Sequence, residues 1–117
     1  VKRGFRLTRS ADFKRVRLTG KSYAHPLVTL YVASSNRPGR RVGVSAGLAV
    51  GNAVQRNRAK RLLRAAIQDF LPEILPGTDL VLIARSPLPH SDLARTREAL
   101  SSVLRRAGLL SPSYYGS

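Results

Sequence analysis

Five cations fall within the nine residues from Arg56 to Arg64, and no acid interrupts them. Side chains of this type at this density favour the neutralisation of a polyanion over a merely solvated charged face, and over a membrane surface, because the apolar arc beside them is Ala-rich and lacks Trp. At about 100° per residue on a helix, Arg56, Lys60, Arg61 and Arg64 share one broad arc. Ala59, Leu62, Leu63, Ala66 and Phe70 share another, so one side can bury while the other stays basic. Arg58 projects away from both arcs. Asn52 precedes the run as an N-cap, because its short side chain can take up a free backbone N–H. A helix mixing Lys with Glu would read as a solvated charged face. Here no acid stands four residues away, so mutual repulsion opposes the helix unless an anion relieves it.

Other chemistries find little support. His25 precedes Pro26 at a strand edge and His90 precedes a helix cap, and neither has a catalytic partner in sequence. The six acids are scattered, with no D-x-D, H-x-E or H-E-x-x-H spacing to cage a metal. A nuclease acting alone needs clustered carboxylates for metal ions or a His pair for acid–base work. The chain shows neither, so no catalytic residue and no protein-bound cofactor or metal is expected. Cys is absent, which excludes disulfides and thiolate sites and fits a cytoplasmic protein.

The charge is as uneven as it is large. Net charge is +15 over 117 residues. Residues 1–64 hold 16 cations and the single acid Asp12, whereas residues 65–117 hold five of each sign. A basic half of this strength indicates a phosphate-backbone partner bound with steep salt dependence. Hydrophobic content of 43% supports a folded chain rather than a disordered basic tail. One domain over residues 1–117 is expected from the length. No apolar run approaches a membrane span, and the N-terminus lacks the apolar region of a signal peptide, so no membrane partner is expected.

Elements must position the basic run. Residues 1–9 read as a flexible basic arm. Ser10 reads as the N-cap of a first helix running to Leu18, with Asp12 favoured in its first turn and Gly20 as its stop. Strands begin near Tyr23, the first limited by Pro26. Leu27 to Ala33 alternates with period two: Val28, Leu30 and Val32 form an aliphatic face for the core, and Leu27, Thr29, Tyr31 and Ala33 form the other. Turn chemistry from Ser34 to Arg40 predicts a hairpin onto a returning strand over Arg41 to Leu48. After the basic helix, Leu71-Pro72 and Pro76-Gly77 mark a connection. Asp79 to Arg85 has the continuous apolar run of a strand buried on both sides. Ser91 reads as the cap of a last helix that buries Leu93, Leu100, Val103, Leu104 and Ala107 and ends at Gly108. The tail 109–117 is expected to be poorly ordered. This gives an α+β fold of order α-β-β-β-α-β-α, a mixed four-stranded sheet with helices packed on it.

The run Gly51-Asn52-Ala53-Val54-x-Arg56-Asn57-Arg58-x-Lys60-Arg61-x-x-Arg64 resembles the signature of the protein subunit of bacterial ribonuclease P. Residues 7–20, Leu30-Tyr31, Arg41-Val42-Gly43 and Asp79 to Arg85 are similar to that family's first helix and strands. The resemblance implies an α-β-β-β-α-β-α sandwich with a left-handed βαβ crossover, where handedness rules alone predict a right-handed one. It also implies a non-catalytic subunit of an RNA enzyme that cleaves the 5′ leader from precursor tRNA. The metal site, with Mg²⁺, would lie in the RNA, and no protein partner would be required. By position, Asn52, Arg56, Asn57, Arg58, Lys60, Arg61 and Arg64 would contact the catalytic RNA. Arg9, Phe13, Arg17 and Tyr31 would border a cleft for the leader, a role that suits aromatics in a basic groove. Simple packing of Phe13 with Val16 in the core is the competing reading. Two departures stand out: Gly47-Leu48-Ala49 replaces the family's cationic residues, and Arg17 replaces a second aromatic.

A ribosomal protein or RNA chaperone would share the size and charge but not the Arg-Asn-Arg signature with an upstream Phe13 helix. A DNA-binding protein is disfavoured because the basic helix joins a sheet rather than a helix-turn-helix partner.

Overall fold

The computed structural model describes residues 6–110. Its elements run α1 (Ser10–Thr19), β1 (Lys21–Ala24), β2 (Val28–Ser34), β3 (Arg40–Ser45), α2 (Ala53–Gln68), β4 (Thr78–Ala84) and α3 (Leu93–Arg106). Short 3₁₀ turns at Leu48–Val50, Leu71–Glu73 and Leu88–His90 join them.

The strands form one four-stranded sheet of order β1-β2-β4-β3. β1 and β2 pair antiparallel, as do β2 and β4. The predicted hairpin between β2 and β3 does not form: β4 lies between them, and β3 pairs with it in parallel, Val42 opposite Leu80. Burial explains the rearrangement. The side chains of β4 are buried on both faces of the sheet, save for Ile83 at its margin, and such a strand belongs at the centre with a neighbour on each side. A parallel partner then requires a long crossover, which α2 supplies.

Both faces of the sheet are covered. On one, Val28, Leu30, Val42, Leu80 and Leu82 pack against Ala59, Leu63, Ala66 and Ile67 of α2 and Ala99, Leu100, Val103 and Leu104 of α3. On the other, Val81 and Ala33 pack with Val16 of α1 and Leu7, and Phe13, Tyr31 and Ile83 are partly buried around them. The period-two reading therefore holds from Val28 to Ala33, with Tyr31 facing α1, but Leu27, which it placed on the Tyr31 face, precedes β2 and packs with the opposite core. Leu63 is fully buried at the α2 contact, where truncation to Ala would cost about 2–5 kcal/mol.

The ends differ from expectation. Arg9, not Ser10, is the N-cap of α1, and it caps without a side-chain bond. Asp92, not Ser91, caps α3, its carboxylate accepting from the Arg95 N–H at 2.8 Å. A carboxylate at a helix N-terminus gains from the dipole what a hydroxyl cannot. Leu7 is buried and its N–H donates to the Val42 carbonyl at 2.9 Å, so the described part of the N-terminal arm is tied to β3. Leu109 and Leu110 are likewise buried, and Leu110 bridges Ile74, contrary to the expectation of a loose tail from residue 109. Residues 1–5 and 111–117 lie outside the described residues. No helix among the described residues is long and apolar enough to cross a membrane.

Candidate nucleic-acid interface

The basic helix starts on a firmly built turn. The Asn52 side-chain oxygen accepts from the Gln55 N–H at 2.9 Å, and the Gln55 side chain accepts from the Asn52 N–H at 2.9 Å. This reciprocal capping box satisfies two of the helix's free donors. Gly51 has φ +139°, and a Cβ there would run into the Gln55 amide, so the turn demands glycine twice over. Asn52, assigned by resemblance to RNA contact, thus uses its side-chain oxygen to start α2.

The cations of α2 divide into two groups. Arg56 donates to the Gly51 carbonyl at 3.2 Å. Arg58 reaches across to the loop before α3, its Nε donating to the Pro89 carbonyl at 2.7 Å and its Nη2 to the Ser91 carbonyl at 3.3 Å. Arg58 therefore does not stand apart, as the helical projection implied, but stitches α2 to the start of α3. By contrast, no hydrogen bond or ion pair to another described residue holds Lys60, Arg61 or Arg64. Asn57 and Arg61 are exposed.

Across the sheet, α1 and the strands enclose an open cleft of about 730 Å³ lined by Phe13, Lys14, Arg17, Tyr31 and Val44 among others. Phe13 is seated on Gly43: a Cβ at that position would strike the ring's outer edge. Glycine in β3 therefore makes the seat for the aromatic, and the two readings of Phe13 merge, since the same ring packs on the sheet and lines the cleft. The Arg17 guanidinium carbon stands 5.8 Å from the centre of the Tyr31 ring, within reach of a cation–π contact. Arg9 is exposed at the start of α1, beside the cleft residues Thr8 and Ser10 but not among those lining it. A smaller hollow of about 200 Å³ shares Thr8, Phe13 and Val44 with the cleft and extends to Arg64. The cleft and the basic arc are thus adjoining parts of one surface.

What holds α1 in place is a cluster that sequence spacing did not reveal. Asp79 of β4, 1% exposed, receives two hydrogen bonds from Arg41, Nε to Oδ1 at 3.1 Å and Nη2 to Oδ2 at 3.0 Å. Arg15 of α1 donates to the same carboxylate. Asp12 completes the set, 3.7 Å from Arg41 and 3.8 Å from Arg15. Burial alone would push the Asp79 carboxyl up, but the hydrogen bonds from Arg41 and Arg15 outweigh it and hold it below the ordinary carboxylate range. The hydrogen bond to Asp79 raises Arg41 in turn, against the opposing effect of its own burial. Asp79 lies 64 residues from Arg15, so only the alternation that puts 79, 81 and 83 on one face could have hinted at the pairing. Two cations of the basic half are consequently committed to the fold.

Among the described residues no group of three His, Cys, Asp or Glu side chains converges to hold a metal. His25 accepts the Leu27 N–H at 3.1 Å within a turn.

Comparison with known proteins decides the family. The Ribonuclease P profile matches residues 1–108. The chain belongs to the ribonuclease P protein family. It is 40% identical to the ribonuclease P protein component of Chloroflexus aggregans over 94% of this chain and 82% of that protein. Identity to the Oceanobacillus iheyensis protein component is 35%, over 94% and 92%. In structure it is similar to the Staphylococcus aureus RNase P protein, with TM-score 0.82, 30% identity and coverage of 92% and 98%. A mutant of that S. aureus protein, described as defective in mRNA degradation activity, matches with TM-score 0.83 and 29% identity over 92% and 91%. Fold and sequence therefore agree on a protein subunit of ribonuclease P, part of an endoribonuclease that processes tRNA, and the ribosomal or chaperone alternative is not favoured.

Proposed function

We propose that the chain divides its RNA contacts between two adjoining surfaces. The arc of Lys60, Arg61 and Arg64, flanked by Asn57, binds the catalytic RNA. The cleft of Phe13, Arg17 and Tyr31 takes the single-stranded 5′ leader of precursor tRNA, with Arg9 at its approach. The observation that carries this reading is the set of cations on α2 with no hydrogen-bond or ion-pair partner among the described residues, beside an open cleft floored by aromatics. Unpaired cations favour phosphate by counterion release, and aromatic platforms favour unstacked bases. Arg56, Arg58 and Asn52 act chiefly by building α2 and its joint with α3, and add contacts from that position.

In this reading the protein contributes binding and positioning. Mg²⁺ would be held by the RNA subunit and would supply the metal chemistry of cleavage there, with no protein cofactor or further protein partner needed. The ribonucleoprotein works in the cytoplasm. Mixing the protein with a bacterial ribonuclease P RNA and following precursor-tRNA cleavage at low Mg²⁺ tests it. Stimulation is expected, and none at any protein concentration would overturn the proposal. Because the S. aureus mutant is described by an mRNA degradation activity, highly purified protein alone should also be offered unstructured RNA. Cleavage abolished by changing one of its own acids would contradict a purely binding role.

A further inference from the structure

A third hollow lies on the far side of α2, between that helix and the start of α3, with a volume of about 480 Å³. Its floor is aliphatic, made by Val54, Leu62, Ala65 and Leu93, and its polar margin consists of Asn57, Arg58 and Arg61. No acid lines it. Val54, 76% exposed on the first turn of α2, carries the aliphatic floor out to the surface, where it is continuous with Leu62, Ala65 and Leu93. Arg58 is tethered there, its Nε and Nη2 donating to the Pro89 and Ser91 carbonyls. Its guanidinium plane is thereby held beside the hollow, whereas no bond to another described residue holds Arg61.

We infer that this hollow receives one unstacked nucleobase of the catalytic RNA, at a position distinct from the leader cleft. The inference rests on the proposed assignment of α2 to that RNA. An unpaired base needs an apolar surface or a guanidinium plane for its face and polar groups for its edge. The aliphatic floor and the fixed Arg58 plane supply the first, and the Asn57 amide, which can both donate and accept, supplies the second. Arg61 then neutralises an adjoining phosphate. A margin of one amide and two arginines around an apolar floor carries no acid to repel a phosphate backbone, and a buried aliphatic side chain of another protein would leave the Asn57 amide and the Arg61 guanidinium unsatisfied. The site would make α2 a reader of one extruded base in addition to a phosphate-binding face.

The test fills the hollow without touching any charge. Ala65 is exposed on α2 and lines the site, so Ala65→Leu and Ala65→Phe add bulk at a position that tolerates it. Each variant is titrated with a bacterial ribonuclease P RNA across a range of salt, alongside dimethyl sulfate probing of the bound RNA and a thermal melt of the free protein. Filling the site should weaken assembly on the order of tenfold and leave the slope of log K against log salt unchanged, because no phosphate contact is lost. One base should lose its protection while the others keep theirs. Arg61→Ala should instead reduce the slope by about one. If wild-type protein binds the RNA but both Ala65 variants bind equally well with the same protections, the hollow is not a base site. If wild-type protein does not bind the RNA at all, the assignment of α2 itself fails. Concentration-dependent self-association abolished by Ala65→Phe would show that a second copy fills the hollow, and would overturn the inference.

Discussion

On the α1 side of the sheet, Arg15 and Arg41 close on the buried carboxylate of Asp79, with Asp12 beside them. Around α2, Lys60, Arg61 and Arg64 pair with no acid among the described residues. The same kind of side chain thus fixes a helix in one region and remains available to a ligand in the other. What separates the two roles is a single buried acid supplied by β4. Charge counted along the sequence does not distinguish them, because all sixteen cations of residues 1–64 carry equal weight until the fold assigns partners.

The comparison breaks most forcefully at Asp79. Asp79→Asn would leave Arg41, whose side chain is only 16% exposed, beside a neutral group. Breaking such a pair costs about 3–5 kcal/mol, and since Arg15 is 37% exposed and can rehydrate, the lower end is expected in a urea or thermal melt. No comparable loss should follow from Arg61→Ala. The pH dependence follows the same logic. With its folded-state pKa depressed, Asp79 contributes stability that is fully present above the ordinary carboxylate pKa. That contribution is lost as pH falls through the folded value. A melt series from neutral to acid pH should show the decline in the wild type and a smaller one in Asp79→Asn.

The cleft comes next. Tyr31→Ala should weaken binding of precursor tRNA relative to mature tRNA by roughly 10- to 100-fold in the assembled enzyme, at about 1–3 kcal/mol per stacked base. Phe13→Ala should do the same and also lower the melt, because the ring is half-buried against the sheet. Gly43→Ala sharpens the point: its Cβ displaces the Phe13 ring without removing it, so discrimination should fall even though every aromatic remains. Within α2 the effects are smaller. Arg58→Ala removes two hydrogen bonds from a charged donor, costing about 1–3 kcal/mol of stability, whereas Arg61→Ala should leave the melt within about 0.5 kcal/mol and reduce only RNA affinity.

Short-range features were legible before the structure. The Asn52 cap, the two arcs of α2 and the alternation that turns Tyr31 away from the aliphatic core all follow from periods of 3.6 and 2. The continuous apolar run of β4 announced a strand buried on both faces, yet its place between β2 and β3 was missed, because local turn chemistry at Ser34 to Arg40 outweighed a pairing that is non-local. The Asp79 cluster and the Arg58 tether were invisible for the same reason: their partners are 38 and 31 residues away at the nearest. Leu109 and Leu110 read as tail because nothing in their neighbourhood shows that Ile74 awaits one of them.

The division of labour between the two surfaces is tested most directly by one paired titration. Preassembled enzyme carrying wild-type, Tyr31→Ala or Arg61→Ala protein is titrated with precursor and mature tRNA, and the affinity of each protein for the RNA subunit is measured in the same buffer. The account predicts that Tyr31→Ala lowers the precursor-to-mature affinity ratio and leaves assembly nearly intact, while Arg61→Ala weakens assembly and preserves the ratio. Equal effects of both variants on both quantities would contradict it.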